Sequence, residues 1–445
     1  VSASGMQIET PWAAQLPVAT SIGFSPGGAE ISGTHPGLSP LWTLPFILML
    51  LAIALFPLVS TVWWSKNLNK LWVSLIVGTP VLIYYLKRDP HSLLETGAEF
   101  ISFIILLASL YVVAGGILLT GDLRATPQTN TAFLAVGAVL ASLIGTTGAS
   151  LLLIRCLLKT NSERTHTVHT IVFFIFLVSN IGGSLTPLGD PPLFVGYLEG
   201  VPFGWTLRLL PEWISMTATL LLIYFVWDTV MMGREPMAAL KLDKLQVQPL
   251  RLAGSFNFLF LLTIVLSVAF LHPPLREAVM VVALLLSLKI TPKELYSAHR
   301  FTFYPIVEVT VLFLGIFLTM IPALDVLRAR AQGIDLREPW QFFWACGGLS
   351  SFLDNTPTYL VFLNLARGLP GPNEVAGVSH ALLRAISLGS VFMGANTYIG
   401  NAPNFMVRSV AEESGLKMPG FFGYMLYSGL VLIPLFVAVT FIFLR

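Results

Sequence analysis

An all-α polytopic membrane protein is the fold class the sequence predicts, with about ten crossing helices and two re-entrant hairpins in two inverted-topology repeats. Three observations point there. The 445 residues are 55% hydrophobic and only 11% charged, whereas soluble globular chains carry roughly 25% charged residues. A water-facing surface cannot be built from that complement. Apolar runs near residues 42–64, 96–120, 211–232, 254–271 and 420–444 approach the ~20 residues that cross a hydrocarbon core. Two further apolar stretches are interrupted near their middle and followed by matching signatures. The alternating segments of about ten residues that a membrane β-barrel needs are absent. Net charge is +2 with scattered basic residues, so no nucleic-acid partner is expected. Cys156 and Cys346 lie in apolar stretches and read as small core residues.

Taken in order, residues 1–40 contain no Lys or Arg and only Glu9 and Glu30 as acids, which reads as non-cytoplasmic. The opening residue, Val1, is expected where an export signal or preceding segment has been removed. Crossings are expected at 41–64, 70–86, 96–120, 166–200, 205–233, 254–271, 274–290, 303–324, 378–413 and 419–444. The stretches 129–159 and 338–367 are broken by Thr146-Thr147-Gly148-Ala149 and Asp354-Asn355-Thr356-Pro357. Their arms of about 9–16 residues span roughly 14–24 Å as helix, too short to cross alone, so each is expected to enter and leave on one side. With the N-terminus outside, the inner loops collect 15 of the 25 Lys and Arg residues, from Lys66 and Lys70 to Arg408 and Lys417. That bias predicts an N-out, C-out protein of a bacterial cytoplasmic membrane.

The interrupted stretches belong to a repeat. Ser179 to Phe194 reads SNIGGSLTPLGDPPLF and Gly394 to Phe405 reads GANTYIGNAPNF. Each begins with an Asn after a small residue, Asn180 and Asn396, and reaches Gly-[Asp/Asn]-x-Pro-x-Phe, which pairs Asp190 with Asn401. Upstream, 103–119 runs parallel to 308–324, so Glu308 falls opposite Phe103. Five crossings separate the two copies, and an odd number turns the second upside down. Inverted repeats with discontinuous helices at matching places are the sequence pointer to a secondary transporter.

The breaks are rich in oxygen. Copy one offers Thr146, Thr147, Ser150, Ser179, Asn180, Ser184, Thr186 and Asp190; copy two offers Asp354, Asn355, Thr356, Thr358, Asn396, Thr397, Asn401 and Asn404. Hydroxyl, amide and carbonyl oxygens with a carboxylate suit a hard cation such as sodium, and exposed helix N-termini attract an anion. Asp190, Asp354 and Glu308 lie in apolar or broken-helix contexts where a charge needs a partner, making them candidates for ion or proton handling. Asp354 reads equally well as a helix cap. Arg155 and Arg384 lie near the breaks and are expected to snorkel rather than bind an anion. His166 and His169 are spaced i, i+3, a poor metal signature on their own.

SNIGGSLTPLGDPP and FLDNTP resemble the ion transporter superfamily, which includes NhaD-type sodium–proton antiporters, citrate and dicarboxylate carriers, and arsenite permeases. Gly182, Gly183, Pro187, Gly189 and Asp190, with Asp354, Asn355 and Pro357, look most like the NhaD-type branch. The resemblance covers roughly residues 40–445 and implies a homodimer with elevator-type scaffold and transport domains. It implies scaffold helices at 41–95, repeat 1 at 96–233, a cytoplasmic loop and scaffold helices at 234–302, and repeat 2 at 303–445. Sodium would then lie at Thr146, Thr147, Gly148, Asn180 and Asp190, and at Asn355, Thr356, Pro357, Asn396, Thr397 and Asn401. No cofactor beyond sodium as coupling ion is implied. Neither hairpin tip carries the Ser-Asn-Thr triplet of dicarboxylate carriers.

Sodium–proton exchange is the leading expectation, and sodium-coupled citrate or dicarboxylate import the alternative. An enzymatic reading, an intramembrane aspartyl protease on Asp190 and Asp354, is disfavoured. Pro187 replaces the first Gly of the expected Gly-x-Gly-Asp, and the repeat pairs Asp190 with an Asn.

Overall fold

A computed structural model describes residues 38–298, 301–333 and 335–445. The segment expected outside the membrane thus falls, up to residue 37, outside the described residues, as does Arg300. Three helices open the chain, α1 (Leu44–Val59), the single turn α2 (Thr61–Trp64) and α3 (Asn67–Arg88). Repeat 1 follows as α4 (Pro90–Gly115), β1 (Leu118–Asp122), the hairpin α5 (Pro127–Ile144) and α6 (Thr146–Thr160), the broken helix α7 (Val168–Leu177) and α8 (Pro191–Leu198), and α9 (Leu210–Met232). The connection holds α10 (Met237–Leu245), β2 (Gln248–Ala253), α11 (Phe256–Phe270), α12 (Leu275–Ile290) and α13 (Lys293–Ala298). Repeat 2 runs through α14 (Tyr304–Arg330), the hairpin α15 (Pro339–Ser350) and α16 (Asn355–Arg367), the broken helix α17 (His380–Met393) and α18 (Ala402–Glu413), and α19 (Phe421–Phe443).

Eight described stretches are long and apolar enough to cross a membrane. α11 and α12, with 15 and 16 residues, are shorter. Local chemistry sets several starts. Asp89 caps α4 by accepting from Ser92 N, and Pro90 supplies a residue whose missing N–H costs nothing in the first turn. Thr126 and Pro127 do the same for α5. Glu338 and Gln341 form a capping box at α15. Beyond His169 and Thr170 in its first turn, α7 is apolar on all sides, VHTIVFFIFL, and nearly every residue is buried. A helix without a polar face belongs in the middle of a bundle, and α7 sits there, against α5, α9 and α18.

Several expectations are corrected. α5 has 18 residues and qualifies as a span by itself, so the first arm is not too short to cross. It is nevertheless half of a hairpin, because Asn130 near its start and Asn161 just past α6 hydrogen-bond each other at 2.8 Å. The first tip is the single residue Gly145 at φ +83°, a conformation open to glycine at little cost. Thr146, Thr147 and Gly148 are therefore already the first turn of α6. The expected crossing 96–120 ends at Gly115, and its last residues turn into β1, paired antiparallel with β2. α14 continues past residue 324 to Arg330.

Ion pairs locate the two ends of the bundle. Arg164, Asp228 and Glu235 lie together at the base of hairpin 1. Arg367, at the base of hairpin 2, pairs with Glu199 just beyond α8. His169 at the start of α7 contacts Asp228, so the broken helix runs from one end to the other. The base of hairpin 1 is thus tied to the start of the first broken helix, and the base of hairpin 2 to its end.

Candidate functional site

The hairpin tips meet at Asp190. This carboxylate is 1% exposed. Its Oδ1 accepts from Thr146 Oγ1 at 3.0 Å and Asn401 Nδ2 at 3.0 Å, and its Oδ2 accepts from Asn355 Nδ2 at 2.5 Å. Both hairpins and both broken helices thus contribute one group each. Each of these residues also opens a helix: Thr146 begins α6, Asp190 caps α8, Asn355 begins α16 and Asn401 caps α18. A helix N-terminus carries roughly half a positive charge from its unpaired N–H groups. Four of them surround a single buried carboxylate, and among the described residues no Lys, Arg or His side chain hydrogen-bonds to it. The centre can hold a cation on Asp190, or attract an anion to the peptide N–H groups beside it.

Matching contacts set the register of the repeat. Thr186 Oγ1 donates to Ser142 O, and Thr397 Oγ1 donates to Ser351 O at 2.5 Å. Gly189 presses onto Gly183 as Gly400 presses onto Gly394. Asp190 and Asn401 are then equivalent. Asn180 and Asn396 are not, because Asn396 falls opposite Leu185 and Asn180 opposite Val391. The expected pairing fails because the two Asn residues stand at different distances from their Gly-[Asp/Asn] signatures. Helix boundaries correct the upstream alignment too. Pro90 and Tyr304 open the long helices and Gly115 and Arg330 close them, so Phe103 lies opposite Phe317 rather than Glu308. Those two rings pack with centroids 5.7 Å apart.

At Gly189 an added Cβ would stand 2.0 Å from Gly183 O, a backbone atom that cannot swing aside. Gly189→Ala is expected to lower stability by roughly 3 kcal/mol, at the upper end of overpacking costs, and to stop transport. Gly97→Ala, where nothing lies within 4 Å, is expected to change neither. Thermal unfolding in detergent and flux in vesicles check both.

The other expected residues divide. Asn180 joins the centre: its Nδ2 donates to Asn404 Oδ1 at 2.7 Å, and its Oδ1 accepts from Asn401 Nδ2 at 3.3 Å. Asn404 in turn donates to the carbonyls of Gly394 and Thr397, both at 2.9 Å. Asn355 and Asn401, expected at a second site, meet Asp190 at the first, so the two clusters share this carboxylate. Thr356 and Asn396 are buried, with Thr356 Oγ1 and Asn396 Oδ1 unpartnered. Thr397 is held on Ser351 O, and Pro357 is buried in the first turn of α16. Thr147 is half-buried, and Gly148 faces Ala114 of α4 instead of the centre. Asp354 caps α16 through Thr356 N at 3.0 Å.

Glu308 is not brought to the site. It forms an ion pair with Lys70 of α3, which is 2% exposed. Arg384 pairs with Glu212 at 3.3 Å. His169 and His166 separate onto Asp228 and Glu235, so they share no ligand position.

One buried cluster escaped sequence reasoning. Arg164 grips Asp228 with two bonds, 3.1 and 2.7 Å, and His169 Nε2 and Asn130 Nδ2 complete its shell at 2.9 and 3.2 Å. Glu235 accepts from the backbone N–H groups of Thr165 and His166 at 2.9 and 2.8 Å. Burial raises the Glu235 pKa, but those two bonds and Arg164 outweigh it and hold the carboxyl below its ordinary value. Asp228, the acid near the end of the largely apolar α9, is the available signal, since a charge inside a span must have a partner.

A family model described as "Putative citrate transport" (CitMHS_2) matches residues 35–444. Comparison with curated proteins returns no match. Apolar spans, paired helix breaks and a model that fits nearly the whole length agree, and the chain belongs to this family of integral membrane transporters.

Proposed function

We propose that the chain is a sodium-coupled carrier of citrate or a related di- or tricarboxylate. The observation that carries this reading is the meeting of four helix N-termini around one buried carboxylate that, among the described residues, receives no hydrogen bond from a Lys, Arg or His side chain. Sodium would balance Asp190, and the peptide N–H groups would receive a substrate carboxylate. The unpartnered Thr356 Oγ1 and Asn396 Oδ1 are oxygen donors of the kind a hard cation takes. The family description favours citrate as cargo. Movement would follow an elevator in a homodimer, with both hairpins and broken helices sliding as one body against α3, α4, α11, α12 and α14.

A second reading, sodium–proton exchange, is favoured by a different feature. Among the described residues no Lys, Arg or His side chain hydrogen-bonds to Asp190, so the centre offers little to match several substrate carboxylates at once. Protons and sodium would then compete for Asp190 itself.

Purified protein in proteoliposomes with imposed sodium and pH gradients separates the two. Saturable, sodium-dependent uptake of labelled citrate is the expected result. Sodium-driven proton movement without citrate flux would replace it by the exchange reading. Absence of both would overturn cation coupling.

A further inference from the structure

A cavity of about 850 Å³ opens between α1, α14 and hairpin 2, and Asp190 does not line it. One wall is a stripe of α14, with Ala323, Val326, Leu327 and Arg330 at helical spacing. A second is the α1 face of Phe46, Ile47, Leu50 and Leu51, and the third is Leu349, Leu353 and Val361 of hairpin 2. The apolar span of α14 ends at Leu327. Arg330 follows by one turn, exposed at the mouth and without an ion-pair partner among the described residues. From Arg330 to Ala323 the stripe descends about 10 Å along the helix.

We infer that this groove is a binding site for one anionic phospholipid, its headgroup phosphate on Arg330 and one acyl chain between α14 and hairpin 2. Both bounding helices cross the hydrocarbon layer, so lipid chains are the molecules at hand. Arg330 stands at the level where an apolar span gives way to headgroups. A guanidinium suits a phosphate there because its planar fork offers paired N–H donors. The remaining walls are apolar apart from Thr43 and Thr358, whose hydroxyls already donate to the carbonyls of Pro40 and Asp354, so a chain meets no polar group that needs water. The inference holds whatever the transporter carries, so its failure would leave the functional reading untouched.

The test is native mass spectrometry of the full chain in detergent, titrated with phosphatidylglycerol and with phosphatidylcholine of identical chains. One phosphatidylglycerol is expected to bind with about a fivefold preference, the factor one basic residue near a headgroup supplies. Arg330→Gln, a surface change, is expected to reduce that preference to parity. Ile47→Trp, at a lipid-exposed position, is expected to weaken both lipids by filling the groove. Equal binding of the two lipids to the unaltered protein would overturn the site. So would a preference that survives both substitutions, or retention of free oleate in place of phosphatidylglycerol.

Discussion

Asp190→Asn is expected to remove sodium dependence from transport while leaving the fold intact. The substitution keeps the shape of a side chain that is 1% exposed and deletes its charge. A neutral amide still accepts from one or two of Thr146, Asn355 and Asn401, so packing at the junction of the four segments is retained. What goes is the charge that balances a bound cation. Bonds to charged groups contribute about 1.5–3 kcal/mol, so sodium binding should weaken by about a hundredfold. Sodium-dependent thermal stabilisation and vesicle flux measure this directly. Undiminished coupling in the variant would move the ion away from Asp190. Asp354→Asn makes a useful contrast. Asp354 holds Thr356 N as a helix cap, and Asn is an equally good cap, so a far smaller effect is expected there.

Asp228→Ala is expected to produce the largest loss of stability, about 3–5 kcal/mol, the cost of removing one partner from a buried ion pair. Arg164 is 1% exposed and Asp228 is fully buried. Truncation leaves the guanidinium only Glu235, at 3.5 Å, and takes one acceptor from His169 and from Asn130 in the same stroke. The cluster ties the base of hairpin 1 to α7 and α9, so its loss should loosen that end of the bundle. The double change Arg164→Met with Asp228→Leu is expected to recover much of the stability, because apolar groups of similar volume often replace a buried pair at little cost. Thermal unfolding in detergent distinguishes these outcomes. A double variant as unstable as Asp228→Ala would show that the remaining members, Glu235, His169 and Asn130, govern the effect.

Legibility differed from residue to residue. Asp190 and Asn401 were visible because a Gly-[Asp/Asn]-x-Pro-x-Phe signature is a local pattern, and backbone that breaks a membrane helix needs small and polar residues at fixed places. Glu308 was singled out on the same logic of an acid in an apolar run, but its partner Lys70 lies far away in sequence, on α3. Nothing local announces such a pair. Asn180 and Asn396 were matched by residue type alone, and only the bonds of Thr186 and Thr397 to Ser142 and Ser351 show that the register is different.

Membrane residence, the helical class and the neighbourhood of each break were determined by the amino-acid sequence alone, since hydropathy, glycine conformation and missing N–H groups act within a few residues. Tertiary structure decided the rest. It brought Thr146, Asn355 and Asn401 to one carboxylate, set the register of the repeat, and enclosed Arg164 with Asp228. These contacts join residues 44 to 211 positions apart, and their energies depend on which helices pack together, a property no short window of sequence contains.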